Sequence, residues 1–150
     1  MKMIAKFMAL PAAERSLLLK SLAPLFAMRL GLWTMSYTQA RVAADWMAQF
    51  RIFPRIDHPA TKPSPEKIAW AVATASRAVP GGGNCLVRAM ATEIILKRYG
   101  YASTLKIGVA KPAAGQFAAH AWLESDGVVV IGDFQLDRFV PLSQPDRPAG

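Results

Sequence analysis

Cysteine is nearly missing from this chain: Cys85 is the only one in 150 residues. A lone thiol excludes an intrachain disulfide and the usual structural zinc sites, which need two to four cysteines. It suits a reducing, cytoplasmic compartment. Histidine is almost as scarce, with His58 and His120 the only two. Long uncharged apolar runs are lacking as well. Met1 to Leu10 starts like a signal peptide, but Pro11 and the Glu14-Arg15 pair cut it short, and Lys20, Pro24 and Arg29 interrupt Leu17 to Trp33. The chain therefore reads as neither secreted nor membrane-spanning, since a span takes about 20 apolar residues. Peripheral contact through a basic, apolar helix is the membrane option left open. No dense basic run or RNA-binding motif is present, which argues against a nucleic-acid partner.

What is present fits one globular domain. Hydrophobic residues make up 53% and charged residues 19%, enough to bury a core at this length without covalent staples. The net charge of +8 is uneven. Residues 1–100 hold 14 Lys/Arg against 5 Asp/Glu, or +9, and residues 101–150 hold 4 against 5, or −1. A basic front suits an acidic partner, whether peptide, protein, lipid headgroup or nucleic acid; a solvated basic face without a dedicated partner is the plainer reading.

The pattern divides into helices followed by strands, an α+β chain. Leu18, Leu22, Leu25 and Leu32 recur at near-helical spacing, with Pro24 starting a new helix or kinking one. Val42, Trp46, Met47 and Phe50 form a second stripe, read as core. Prolines 54, 59, 63 and 65 mark a linker. Ser64 is an N-cap ahead of Pro65, opening a helix through Ile68, Val72 and Ala75 that ends near Val79-Pro80. From Cys85 a helical stripe of Leu86, Met90, Ile94, Ile95 and Leu96 runs to Tyr99-Gly100. Thr104 to Val109 alternates as a strand, Lys111 to Gly115 is a loop, and Ala118–Glu124 and Val128–Phe134 flank a turn at Ser125-Asp126-Gly127. Residues 1–65 form the helical region and linker, residues 66–142 the core, and residues 143–150 a frayed tail.

The chemistry gathers around the thiol. Three glycines, Gly81 to Gly83, precede Asn84 and Cys85, and they permit a sharp turn and a close approach of substrate. With Asn84 as cap, Cys85 lies in the first turn of a helix, where free N–H groups and the positive dipole end favour a thiolate and can hold an oxyanion. A buried structural cysteine is the alternative. A thiolate needs a base, and the base an orienting partner. His58, in the proline-rich segment, reads as a surface residue. His120 lies in an alternating strand with Trp122 and Glu124 on its face; its plainer reading is a core histidine. If Asp126-Gly127 is a two-residue turn, Ser125 pairs with Val128, Glu124 with Val129, Leu123 with Val130, Trp122 with Ile131, and His120 with Asp133. Opposed residues share a face with Cβ atoms about 4.5–5.5 Å apart, so Asp133 can hold one ring nitrogen and leave the other for Cys85. A slip of one residue would put Asp133 on the wrong face. Asn84 and Gln116 are the candidates for a further oxyanion donor.

These residues carry a resemblance. Val79-Pro80-Gly81, Cys85-Leu86-Val87-Arg88-Ala89, Gly100, Leu105, Ile107-Gly108-Val109, and Ala119-His120-Ala121-Trp122-Leu123-Glu124 with Asp126-Gly127 resemble the transglutaminase-like leader peptidase of lasso-peptide biosynthesis. The likeness covers residues 66–142. It implies a papain-like core in which a helix bearing the nucleophile packs on an antiparallel sheet. It implies Cys85 as nucleophile, His120 as general base and acid, and Asp133 as orienter, with no cofactor and no metal. The activity it implies is removal of the leader from a ribosomal precursor peptide, so that a separate ATP-dependent cyclase can close the macrolactam. The short helical front resembles the split form, which needs a separate leader-recognition protein; the basic residues Arg41, Arg51 and Arg55 would suit docking of that protein or of an acidic leader. Two rivals stand beside this reading: acyl transfer on the same triad, and a non-catalytic basic scaffold gathering precursor and cyclase.

Overall fold

The computed structural model describes residues 2–50, 62–110, 115 and 117–142. Five helices come first: α1 (Lys2–Met8), α2 (Ala12–Thr34), α3 (Tyr37–Gln49), α4 (Pro65–Ala75) and α5 (Cys85–Arg98). Four strands follow: β1 (Thr104–Ala110), β2 (Ala118–Ser125), β3 (Val128–Ile131) and β4 (Val140–Pro141). The α+β class holds, with helices leading and an antiparallel sheet closing the chain.

Local chemistry starts the helices where the sequence indicates. Ser64 Oγ accepts from Lys67 N with Pro65 in the first turn, using a ring that has no N–H to lose. At α3, Ser36 and Gln39 cap each other reciprocally, satisfying two of the orphan groups at that end. Pro24 does not start a new helix: α2 runs through it, with the proline ring fully buried. Leu17, Leu18, Leu25 and Met28 bury the same face against α4 and α5. Helix α2 has the length and apolarity to cross a membrane, and 33% of its most apolar stretch is buried in the fold.

Helix α3 corrects the pattern reading in part, since Met47 does pack against the core. Val42, Trp46 and Phe50 are exposed, and the face turned inward carries Ala40 and Ala44. Small residues let α3 lie close to α5 and bring Arg41 to Glu93. That carboxylate is buried on α5, and Arg41 forks onto both of its oxygens. Lys97 joins Glu93 at 3.0 Å and Asp45 at 2.9 Å. Burial disfavours the Arg41 charge, but Glu93's hydrogen bond and charge outweigh it, so its pKa is raised. Arg41 is thus spent inside the fold and is not a free docking residue; Arg51 and Arg55 lie outside the described residues, as do His58 and the prolines at 54 and 59.

The helices on both sides of residues 51–61 share one core, with α2, α3 and α4 all packing on α5. Helix α5 in turn covers the sheet, whose order is β3-β2-β1-β4. Leu105, Ala121, Leu123 and Ile131 point into that core. Strand β4 carries no strand signal in the sequence, because its Pro141 cannot donate to a ladder and is restricted to an edge. There it pairs with Gly108, while Leu142 N donates to the Ile107 carbonyl. The tail expected at 143–150 lies outside the described residues.

The Arg41–Glu93 pair sets a clear energetic expectation. Arg41→Ala leaves a buried carboxylate with Lys97 alone and lowers stability by about 3 kcal/mol in chemical denaturation. Arg41→Met combined with Glu93→Leu recovers most of that loss, because no buried charge is then left unpaired.

Candidate active site

Cys85 is the first residue of α5 and is half-buried, its side chain resting against the core. Asn84 caps the helix: Oδ1 accepts from Leu86 N at 2.9 Å and from Val87 N at 3.4 Å, and its carbonyl accepts from Arg88 N. The cap therefore consumes the donors of the first turn one by one. Among the described residues, Cys85 N–H is the first-turn donor that neither the Asn84 side chain nor a backbone carbonyl takes. A donor in that position can meet negative charge that develops on a group bound to the thiol. Asn84 is committed as the cap, and Gln116 lies outside the described residues.

The preceding loop has its own reasons for glycine. Two overlapping turns close it, through Gly82 N to Val79 O and Asn84 N to Gly81 O. Gly81 has φ +71 and lies under the Arg29 guanidinium, where a side chain would collide. Gly82 is buried against Ser76 O and Val79. Gly83 alone faces open space, so close approach of a substrate falls to it.

The hairpin reaches His120 by an unexpected route. Asp126 and Gly127 both have positive φ, as a tight two-residue turn requires. Ser125 pairs with Val128 and Glu124 with Val129, as the turn dictates. The ladder then shifts: Leu123 pairs with Ile131, and Val130 is passed over in a bulge. The physical reason is burial. The bulge lets Ile131 join Leu123 on the core face while Val130 also packs against the core; the unshifted register would have set Ile131 opposite Trp122, on the other face. The expected His120–Asp133 pair is accordingly not formed. Strand β3 ends at Ile131, Gly132 turns the chain with φ +85, and Asp133 is exposed.

Gly132 takes up the position facing the imidazole. Its carbonyl lies 2.7 Å from His120 Nε2, and a carbonyl can only accept, so Nε2 carries the proton and the neutral ring keeps its Nδ1 lone pair for another partner. No side chain other than glycine fits this bend, because a Cβ on Gly132 would meet Ala121 O at 2.6 Å. Phe139 lies against the ring at 5.1 Å between centroids, and Trp122 follows at 6.4 Å. Gly108, paired with His120 across the ladder, leaves space for both aromatic groups. Alternation puts His120, Trp122 and Glu124 on the opposite face from Ala121 and Leu123. No hydrogen bond joins Cys85 to His120 among the described residues. Trp122 Nε1 donates to Glu124 at 3.1 Å, and Lys106 Nζ lies 2.9 Å from the same carboxylate. Lys106's hydrogen bond, reinforced by Trp122 and by Lys106's charge, outweighs burial and lowers the Glu124 pKa.

A family model described as the transglutaminase-like superfamily matches residues 26–144. The chain belongs to that superfamily. No curated protein and no solved structure matches the chain. The superfamily is one of cysteine peptidases and acyltransferases. In this transglutaminase-like chain the match begins inside α2, which agrees with a core shared by the front helices and the sheet.

Sequence reasoning passed over three features of this site. The Gly132 carbonyl leaves no side-chain signature, and Phe139 arrives only through β4. Arg88, one turn beyond Cys85, keeps a buried Nε without a hydrogen-bond partner among the described residues; the sequence showed it only as a motif letter.

Two outcomes check this geometry. Gly132→Ala strains the bend and displaces the carbonyl, costing about 2 kcal/mol or more in denaturation and removing the hydrogen-bonded Nε2 proton from the NMR spectrum. Glu124 titrates from a depressed value, so its contribution is complete above the ordinary carboxylate pKa of about 4.3 and disappears as pH falls through the lower folded value. The Trp122 indole N–H resonance should report a midpoint below about 4.3, and Lys106→Met should move that midpoint upward.

Proposed function

We propose that this chain is a cysteine peptidase that removes the leader from a ribosomally made lasso-peptide precursor. Freeing the α-amine of the core peptide lets a separate ATP-dependent cyclase close the ring. The observation that carries the reading is the pair of chemical groups on a transglutaminase-like frame: a thiol at a capped helix start, and an imidazole whose Nε2–H is held by Gly132 so that Nδ1 is the basic atom. The split motif from Cys85 to Ala89 and from Ala119 to Glu124 supports the finer assignment.

In the proposed reaction the Cys85 proton passes to His120 Nδ1, and sulfur adds to the scissile carbonyl. This step requires the thiol and the imidazole, which share no hydrogen bond among the described residues, to meet in the substrate complex. Cys85 N–H receives the oxyanion, and the imidazolium gives its proton to the departing amine. Water, activated by the same imidazole, resolves the thioester, leaving a carboxylate on the leader. Asp133 adds negative charge beside the Gly132 carbonyl and favours the imidazolium. A separate leader-recognition protein delivers the precursor in this scheme. Acyl transfer would use the same steps with an amine in place of water, and the superfamily contains both outcomes.

Mass analysis of precursor incubated with this protein and the recognition protein decides the matter. Hydrolysis yields a free leader acid and a core with a free amine; a leader joined to another amine marks transfer. Cys85→Ala and His120→Ala should each lower cleavage at least about 10³-fold. Cleavage surviving Cys85→Ala leaves only the scaffold role. Asp133→Asn should cost about tenfold or less, and a loss equal to that of His120→Ala would show that the carboxylate replaces the carbonyl at Nε2 during turnover.

A further inference from the structure

A groove on the outer face of α2 runs up to the loop that leads to Cys85. Phe26, Leu30 and Trp33 recur at helical spacing on this face and remain exposed, Trp33 by 75%. With Ala27, Arg29 and Pro80 they line a cavity of about 520 Å³. Arg29 forms its link to the loop. Its Nε donates to the Pro80 carbonyl at 3.3 Å, and its guanidinium lies over Gly81. Among the described residues this guanidinium has no carboxylate partner.

We propose that this groove is a substrate subsite. It takes a large aliphatic or aromatic side chain from the precursor segment adjoining the cleaved bond, with an acidic residue beside it reaching Arg29. The proposal rests on the peptidase reading above and adds where the substrate is held and by what chemistry. Three large apolar side chains around a concavity offer a pocket to an apolar anchor, since each contributes most when desolvated. The guanidinium, with no carboxylate partner among the described residues, supplies a fork suited to one. The occupant is a peptide rather than a flat lipid surface because one wall of the groove is Pro80, in the loop that ends at the nucleophile. A second copy of the chain is disfavoured by charge, because residues 1–100 carry +9 and would oppose themselves.

Selection of a random peptide library on immobilised Cys85→Ala protein tests this, followed by fluorescence polarisation with the recovered peptides. The expected peptides pair a large apolar residue with a neighbouring Asp or Glu. Trp33→Ala should weaken their binding about tenfold, Arg29→Gln should weaken it and flatten its salt dependence, and Trp46→Ala, an exposed aromatic on α3, should leave it unchanged. Peptides without that pairing, or binding indifferent to Trp33→Ala, would overturn the subsite. So would capture of phosphatidylglycerol vesicles by the wild type that Trp33→Ala abolishes, which would make the face a lipid-binding one. Peptides that bind in the groove but are never cut by the intact protein would keep the subsite and remove the peptidase reading instead.

Discussion

Helix α5 is enclosed on every side from Ala89 to Leu96, and one of those enclosed residues is a glutamate. A carboxylate removed from water must be paired or neutralised, because the desolvation cost otherwise exceeds what surrounding apolar contacts return. Arg41 from α3 and Lys97 from the next turn meet that demand. Much else depends on this pairing. It seats α3 on α5 through small alanines, leaves the larger side chains of α3 outside, and holds the helix that presents Cys85. Packing of α2 and α4 on the remaining faces then closes the core, and the sheet covers the last side.

The histidine is positioned by a different device, a single residue left out of a ladder. The bulge at Val130 arises because two successive apolar residues of β3 both find contacts with the core. Its consequence is felt beyond the end of the strand. Gly132 is brought against β2, and its carbonyl, rather than the Asp133 side chain, meets Nε2. A backbone acceptor fixes the imidazole tautomer as firmly as a carboxylate would, but it contributes no full charge to stabilise an imidazolium. Phe139 and Trp122 further enclose the ring, and both fit because Gly108 has no side chain.

Several parts of this arrangement were legible residue by residue. The caps at Ser64 and Asn84, the Asp-Gly turn and the first strand follow from short-range stereochemistry, which acts over three or four residues. Local rules failed where a residue's surroundings were set by distant partners. Trp46 and Phe50 look like core at helical spacing, yet α3 buries its alanines because Arg41 must reach Glu93. Pro24 could open a new helix, yet α2 continues through it and the ring is packed within the core. The glycines before Cys85 suggest an open cleft, while Gly81 and Gly82 answer to Arg29, Ser76 and Val79.

The sequence by itself determined the α+β order, the helix start that carries the thiol, and the strand that carries His120, because capping and alternation are local rules. Tertiary structure decided what each of those groups faces. The partner of Nε2 and the groove beside Pro80 both arise from contacts between residues far apart in the chain. A register shift of one residue or the seating of one arginine changes them without altering any local signal.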